Sequence, residues 1–536
     1  MHAEDDNGNI KTRKRHRKIY NNKPMMKNRL RIATSIALVA LAALSSCSDS
    51  YPGLTYDYNG DKITNNETYD KTPVMVFVNK QNFFSVSATR GGDTEPGKGT
   101  GPFDEESILT EKYTKARFYI YAFRKEKYAN DKDNDLTTEP DLTYTRLSED
   151  RPQDEFALNC LVDGPDFNYG MPARLTSDMA GSFDLLYKKD DQDKGSTIGS
   201  GNFIDEETKE TQTLYYSSKY QNVGYNFFAY YIDSLNLEKH SVDIHNVSRT
   251  PESVAYDITI DGTQDIMCGS APDLRADMFG VGEDKRYDIN ITKEERDVII
   301  NQGGGGYSTF AAHRGVYPIV DMKHQLAQLN FVAYPGDERC KDIVITGIEV
   351  VAPTRGTLTV AARDKKNIGF KPDMGAEGSF YLKEKSVDGN KCEALAPVPM
   401  KWPYDENNNK APEIYSEREA TEIGGSIMLP SQGSYYIRLH FKQMKKDAAG
   451  NDTEPQKLVA TYTIEAPTAD ESGEKVFKKG YKYNIYIVVY GLQPIKMSAS
   501  IEGWHEEKDP IIVDPDDPKY DNNPDDPNDE DNLRAE

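Results

Sequence analysis

Tryptophan, cysteine and histidine are scarce, with 2, 5 and 8 residues among 536. With only Trp402 and Trp504, any aromatic platform for a saccharide would fall to tyrosine. Cys160, Cys268, Cys340 and Cys392 lie far apart with no CxxC spacing, which excludes the usual zinc modules. Their pairing stays open. There is no HExxH helix and no G-x-S-x-G elbow, so the zincin and α/β-hydrolase reactions have no carrier. His324 sits beside apolar residues and reads as a packed, hydrogen-bonded core histidine. Bases are outnumbered 65 to 88, for a net charge of −23, and a surface this acidic repels phosphate backbones. Nucleic acid is excluded as a partner. Mean hydropathy is −0.73, which excludes a polytopic membrane protein.

The apolar run Ile32–Leu44 is too short for a bilayer, which needs about 20 residues. It follows the basic stretch Lys27-Asn-Arg29-Leu-Arg31 and precedes Ser45-Ser46-Cys47. A basic region, an apolar core and small residues before a cut describe a secretory signal peptide over 1–46. Met25 or Met26 reads as its true start. Leu44-Ser45-Ser46-Cys47 resembles the bacterial lipobox, which makes Cys47 the lipidation site and a membrane lipid its partner. Removing 1–46 takes ten bases and three acids, leaving 55 bases against 85 acids and a net charge of −30.

Residues 47–72 are polar and read as a disordered tether. From there to about Gly503, short alternating runs are broken by Gly, Pro, Asn and Asp. Arg117–Phe123 sets Phe118, Ile120 and Ala122 against Tyr119, Tyr121 and Phe123. Tyr436–Phe441 sets Ile437, Leu439 and Phe441 against Tyr436, Arg438 and His440. Lys482–Tyr490 places Tyr483, Ile485, Ile487 and Val489 on one face. Period two with β-branched and aromatic residues is the strand signal, and many such runs predict an all-β fold of sandwiches. The one helix signal is Thr292-Lys-Glu-Glu295, a capping box leading into a short apolar stretch. Gly303–Gly306 reads as a flexible loop, with a domain boundary between about 265 and 315. The expected organisation is an N-terminal domain over 73–290, a C-terminal domain over 310–505 and an acidic disordered tail over 506–536. Residues 505–536 hold thirteen acids, three bases and five prolines, a composition that forbids a packed core.

Two chemical motifs are nearly spelled. Gly92-Asp-Thr-Glu-Pro-Gly97-Lys98 lacks the Ser or Thr of a phosphate loop and any helix after it, so it reads as a loop. Asp131, Asp133 and Asp135 have the opening spacing of a calcium loop, but Leu136 replaces the needed glycine and Leu142 the bidentate glutamate. They stand as a weak calcium candidate beside the plainer reading of a solvated acidic hairpin loop. Nothing demands catalysis or a cofactor, and the expectation is a protein that is not an enzyme.

Three stretches together resemble the fimbrillin family, the subunits of lipoprotein-derived (type V) pili. One is Asp265-Ile-Met267 with Val320-Asp-Met-Lys-His324-Gln-Leu326-Ala-Gln-Leu329-Asn-Phe331. Another is Phe477-Lys-Lys-Gly480-Tyr-Lys-Tyr483-Asn-Ile485, continuing to Ile501-Glu-Gly-Trp504. The third is Ser87-Ala-Thr89-Arg90-Gly91 after the alternating Val74, Val76 and Val78. The resemblance implies two β-sandwich domains of transthyretin-like topology, export as an outer-membrane lipoprotein to the cell surface or fimbrium, and partners that are other pilin subunits. It also implies trypsin-like processing, for which Arg90 is the candidate site, releasing a first strand whose place a neighbour's strand takes. Losing an edge strand exposes unpaired amides and an apolar groove, which a donated strand satisfies. Past Trp504 only Ile511-Ile-Val513 is apolar, bracketed by Pro510 and Pro515, a poor donor strand. That favours a tip, accessory or anchor subunit over a stalk subunit, with a host or bacterial surface ligand as a further partner. The rival expectation is a surface glycan-binding lipoprotein of a polysaccharide-uptake system.

Overall fold

A computed structural model describes residues 72–79, 117–127, 138–143, 159–163, 169–175, 183–187, 203–205, 211–212, 216, 220–232, 244–282, 285–384, 393–405, 409–445, 449, 453–466, 475–490, 496–502 and 533–534. The strands in chain order are β1 (Phe77–Val78), β2 (Phe118–Arg124), β3 (Cys160–Val162), β4 (Met171–Leu175), β5 (Phe183–Tyr187), β6 (Phe203–Asp205), β7 (Thr211–Gln212), β8 (Tyr225–Ile232), β9 (Ile244–Arg249), β10 (Ser253–Thr259), β11 (Ile266–Ser270), β12 (Phe279–Gly280), β13 (Tyr287–Asp288), β14 (Ile319–His324), β15 (Ala327–Pro335), β16 (Ile343–Pro353), β17 (Arg355–Ala362), β18 (Gly369–Pro372), β19 (Glu377–Tyr381), β20 (Val398–Pro399), β21 (Thr421–Leu429), β22 (Ser434–Gln443), β23 (Gln456–Glu465), β24 (Lys482–Val489), β25 (Lys496–Glu502) and β26 (Leu533–Arg534). The protein is all-β, as its alternation predicts.

The largest sheet runs β1-β14-β11-β8-β2-β4-β5-β6-β7, with β3 also on β2. A second runs β18-β17-β10-β9. The other two large sheets run β21-β15-β24-β25 and β19-β16-β22-β23-β26, with β20 on β16. Strands from beyond residue 310 therefore do not keep to sheets of their own. β14 lies in the largest sheet, and β17–β18 extend the sheet of β9–β10. Thr354 is the hinge: only this residue separates β16 from β17, and its carbonyl accepts from the Ile260 N–H at 2.8 Å.

Strands β2 and β8 are buried along their whole length. The alternation in Arg117–Phe123 thus separates two buried faces, as befits a strand covered on both sides. One face meets the second sheet through tyrosines. Tyr119 stacks on Tyr230 at 5.1 Å, Tyr230 lies 5.4 Å from the Tyr256 ring, and the Tyr121 and Tyr256 hydroxyls bond at 2.8 Å. Burial raises the pKa of the Tyr121, Tyr230 and Tyr256 phenols, so they act as uncharged hydrogen-bonding core residues. In β22, Ile437, Leu439 and Phe441 are buried while Tyr436, Arg438 and His440 face outward, the predicted split. Tyr483, Ile485, Ile487 and Val489 of β24 are all fully buried.

The capping box forms as expected. The Thr292 hydroxyl accepts from the Glu295 N–H at 3.1 Å, and Glu295 accepts from the Thr292 N–H at 2.9 Å. It opens helix α1 (Lys293–Asp297), which continues as a wider turn to Gln302. Helix α2 (Thr309–Ala312) follows, capped by Ser308. Between them Gly303–Gly306 is a close-packed turn, correcting the expectation of a flexible loop. Gly304 and Gly305 take φ of +59° and +70°, and a Cβ on Gly224 would lie 2.1 Å from the Gly303 carbonyl oxygen. Tyr225 and Tyr307 exchange backbone hydrogen bonds of 2.9 and 3.0 Å beside it. Gly303 and Gly306 lie against the Gly224 backbone, and Gly304 and Gly305 are needed for their positive φ.

Candidate functional site: the leading strand and its groove

The residues 72–79, Thr-Pro-Val-Met-Val-Phe-Val-Asn, bury Val74, Val76 and Val78 and leave Met75 and Phe77 half-buried. This is the predicted period-two pattern placed at the edge of the largest sheet. The segment runs parallel to β14, with Phe77 opposite Ile319 and Val78 opposite Val320. The Phe77 N–H donates to the Pro318 carbonyl at 2.8 Å and the Asn79 N–H to the Val320 carbonyl at 2.9 Å. On its other side the Val76 carbonyl accepts from the Phe183 N–H and the Thr72 carbonyl from the Tyr216 N–H, both at 2.9 Å. A short parallel strand is an unusual edge, because parallel pairing needs a long connection rather than a hairpin. Its partner β14 is remote in sequence, and the next described strand along the chain, β2, lies elsewhere in the same sheet.

Polar contacts fasten both ends. At the start, the Thr72 hydroxyl meets Nε2 of His313, which follows α2. Burial, with the adjacent Arg314 charge, depresses the His313 imidazole to about 4, so it is neutral at pH 7. Arg314 is itself fixed, 3.4 Å over the Phe310 ring and 2.9 Å from Glu295 of the capping box. At the far end, the Asn79 amide donates to Asp321 Oδ1 at 2.9 Å, and Arg286 reaches the same oxygen at 3.0 Å. Arg286 also donates to the Ile319 carbonyl at 2.6 Å. Sequence reasoning found the three valines but missed Thr72, Asn79, His313, Arg286 and Asp321. Their partners lie more than 200 residues from the segment, and no local pattern announces them.

Two of the motif stretches, 265–267 with 320–331 and 477–485, meet next to this edge. Met267 of β11 pairs with His324 of β14, which places His324 Nδ1 2.7 Å from the buried Asp265 carboxylate. The Gly480 N–H donates to the Leu326 carbonyl at 2.8 Å, and a Cβ on Gly480 would lie 3.5 Å from His324 Cβ. The Phe477 ring packs between Tyr435 and Tyr483, at 4.5 and 4.8 Å. His324 is buried, as its apolar surroundings predict. Segments separated by two hundred residues therefore meet at one junction.

Among the described residues, no group of three His, Cys, Asp or Glu side chains could hold a metal. Cys160, Cys268 and Cys340 are buried, and burial pushes the Cys268 and Cys340 thiols up to about 12 and about 11. On the outer face of β16, β19 and β22, Ser379, Arg438 and His440 all bond to the buried Glu349. Those donors, led by Ser379, hold its carboxyl below the usual range against the effect of burial. Serine and histidine each contact the carboxylate rather than one another, which fixes Glu349 but makes no nucleophile relay. Leu142 lies in the core and its carbonyl accepts from Arg249 at 2.6 Å. Cys47, Arg90, Asp131, Asp133, Asp135, Cys392 and Trp504 lie outside the described residues.

No family model and no curated protein matches this sequence. Its structural neighbours are fimbrial and cell-adhesion proteins. It is similar to a candidate cell adhesion protein from Bacteroides uniformis, with 11% identity and a TM-score of 0.31 over 81% of this chain and 99% of that one. It is similar to the fimbrial anchor protein Mfa2 from Porphyromonas gingivalis, with 10% identity and a TM-score of 0.28 over 81% and 100% of the two chains. The tip fimbrial protein Mfa3 from Porphyromonas gingivalis gives 8% identity and a TM-score of 0.27 over 80% and 99%.

Proposed function

We propose that this protein is a lipid-anchored, fimbrillin-like structural or adhesive subunit of a surface pilus, joined to its neighbours by β-strand exchange. The observation that carries this reading is the leading segment 72–79. It is a parallel edge strand holding three buried valines, and removing it would uncover the β14 edge and the apolar groove together. A donated strand would satisfy both. Arg90 follows Asn79 by eleven residues, so a cut there would free this strand along with everything before it, including Cys47. The meeting of two of the fimbrillin-like stretches, 265–267 with 320–331 and 477–485, at His324 supports the same reading. The proline-bracketed Ile511-Ile-Val513 favours a tip, accessory or anchor position over a stalk.

N-terminal sequencing of the surface-extracted protein tests this. A chain beginning at Gly91 and recovered in filaments marks a subunit that has shed its strand. A chain beginning at acylated Cys47 and recovered at the filament base marks an anchor. Protein absent from filaments altogether would overturn the pilus reading.

One observation favours the rival saccharide-binding function. Tyr381 and Tyr436, 59% and 41% exposed, flank Arg438 and His440 on one outer sheet face. Tyrosine faces beside hydrogen-bonding groups suit a sugar. Arg438 covers one face of the Tyr436 ring at 5.4 Å, as Arg418 covers one face of Trp402 at 5.6 Å, where Tyr404 also packs edge-on at 5.0 Å. A glycan screen on the wild type and on Tyr436→Ala distinguishes the two. Specific binding lost in the variant, by a protein absent from filaments, would favour the saccharide function.

A further inference from the structure

Strand register lays out the outer face of β19-β16-β22-β23 in rows. Tyr381, Glu349, Arg438 and Thr461 stand across the four strands in one row. Val351, Tyr436 and Thr463 lie beyond it on one side, followed by the acids Glu377 and Glu465. His440 lies on the other side, followed by Lys442 directly opposite Lys457. Among the described residues, the two exposed aromatic side chains, Tyr381 and Tyr436, both stand on this face. Like charges directly opposite each other weaken a strand pair, yet neither Lys442 nor Lys457 is held in an ion pair among the described residues. Arg438, Lys442 and Lys457 together oppose only the Glu349 carboxylate, on a chain of net charge −23. Glu349 is buried among them and accepts from the Ser379 hydroxyl, from Arg438 at 2.7 Å and from His440 Nε2 at 3.3 Å. A carboxylate only accepts, so Nε2 carries the proton of that bond. These bonds hold the guanidinium and the imidazole in place, which lowers the ordering cost for a ligand they meet.

We propose that this face binds an acidic saccharide, an extended chain of uronic-acid units. Arg438, Lys442 and Lys457 receive the carboxylates, while sugar rings lie against Tyr436 and Tyr381. The charges fit this ligand, because a guanidinium fork matches a carboxylate and an anion between two opposed lysines relieves their repulsion. The tyrosines fit it too: an exposed phenol offers an apolar ring face and a polar rim to a sugar. An acidic peptide would meet the charges and leave the rings without a use. Tyr436 to Lys442 spans six residues of extended strand, about 20 Å, so the ligand is an oligomer lying along β22 rather than a single sugar. Glu377 and Glu465 repel carboxylates from the far end, which places the charged units over the lysines. The proposal rests on the saccharide reading of this face and is independent of strand exchange at the leading-strand groove. It suits an adhesive pilus subunit as well as a free lipoprotein.

Calorimetric titration of the full mature chain with oligogalacturonate, oligoguluronate and hyaluronan oligosaccharides tests the site. At least one should bind, and methyl esterification of its carboxylates should weaken binding about tenfold or more. Lys442→Gln combined with Lys457→Gln should cost about tenfold, and Arg438→Gln about the same. The double lysine variant keeps every partner of Glu349, so it reports on binding even if Arg438→Gln disturbs the fold. Tyr436→Ala should also weaken binding, whereas Lys371→Gln, at an exposed lysine of β18, should leave it unchanged. Binding that is indifferent to esterification and to the lysine changes, yet lost in Tyr436→Ala, would overturn the acidic ligand and leave a neutral saccharide. Binding of none of the oligosaccharides, esterified or free, would overturn the saccharide reading of this face as well. Polyglutamate bound as tightly as the uronates, and lost in the same variants, would replace the saccharide with an acidic peptide and overturn the proposal.

Discussion

Val76→Ala probes how the leading strand is held. Val74, Val76 and Val78 contribute about 2 kcal/mol each on burial, and half-buried Met75 and Phe77 about 1 kcal/mol each. Four backbone hydrogen bonds and the Asn79 side-chain bond add about 1 kcal/mol apiece. Ordering the eight residues costs about 1.5 kcal/mol each. The two sides come to about 13 and about 12 kcal/mol, so the strand sits on the body with little to spare. Removing two methyl groups and leaving part of their volume empty costs about 2 kcal/mol, enough to shift the attached-to-detached ratio about thirtyfold. The expected result is local. Exchange at the Phe77 and Asn79 amides should accelerate about fivefold in Val76→Ala, almost to the unprotected rate, because a margin of about 1 kcal/mol gives only about sixfold protection, while the urea midpoint of the body barely moves. Met75→Ala, at a half-buried position, should have a much smaller effect. If Val76→Ala instead lowers global stability by the full amount with no selective loss of protection over 72–79, the strand is an inseparable part of the core. The exchange argument then fails.

Gly224→Ala should destabilise the body by about 3 kcal/mol or more, because its Cβ would meet the Gly303 carbonyl at 2.1 Å; an unchanged melting temperature would refute the close-packed turn. His313 is neutral in the fold, with its pKa depressed to about 4 from an ordinary 6.5. Acid therefore protonates the unfolded chain first, so stability should be full above pH 6.5 and fall as pH drops from 6.5 towards 4. His313→Gln should flatten that part of a pH–stability curve, and an unaltered slope would dismiss the histidine as its source. Cys47→Ala should abolish fatty-acid labelling and release the protein from the membrane fraction; continued labelling would disprove the anchor.

Local chemistry in the chain was enough to specify much of this protein. Alternation in 436–441 and 482–490 named the buried residues of β22 and β24, because a strand's two faces are written directly into odd and even positions. The Thr292–Glu295 box was equally legible, since its partners are three residues apart. The valines of the leading strand could be read for the same reason. Other features depended on partners remote in sequence. Whether Tyr119, Tyr121 and Phe123 faced solvent or a second sheet was decided by β10 and β17, which arrive more than a hundred residues later. Gly303–Gly306 has the composition of a loop, and only the backbone of Gly224 pressed against it makes it a tight turn. Thr354 lets the chain pass from one sheet to another within a single residue, so the division into sheets cuts across sequence order. The polar fastenings of the leading strand, Thr72 to His313 and Asn79 to Asp321, likewise exist only once β14 and α2 are in place. Burial patterns are local in sequence, but contacts belong to the folded chain.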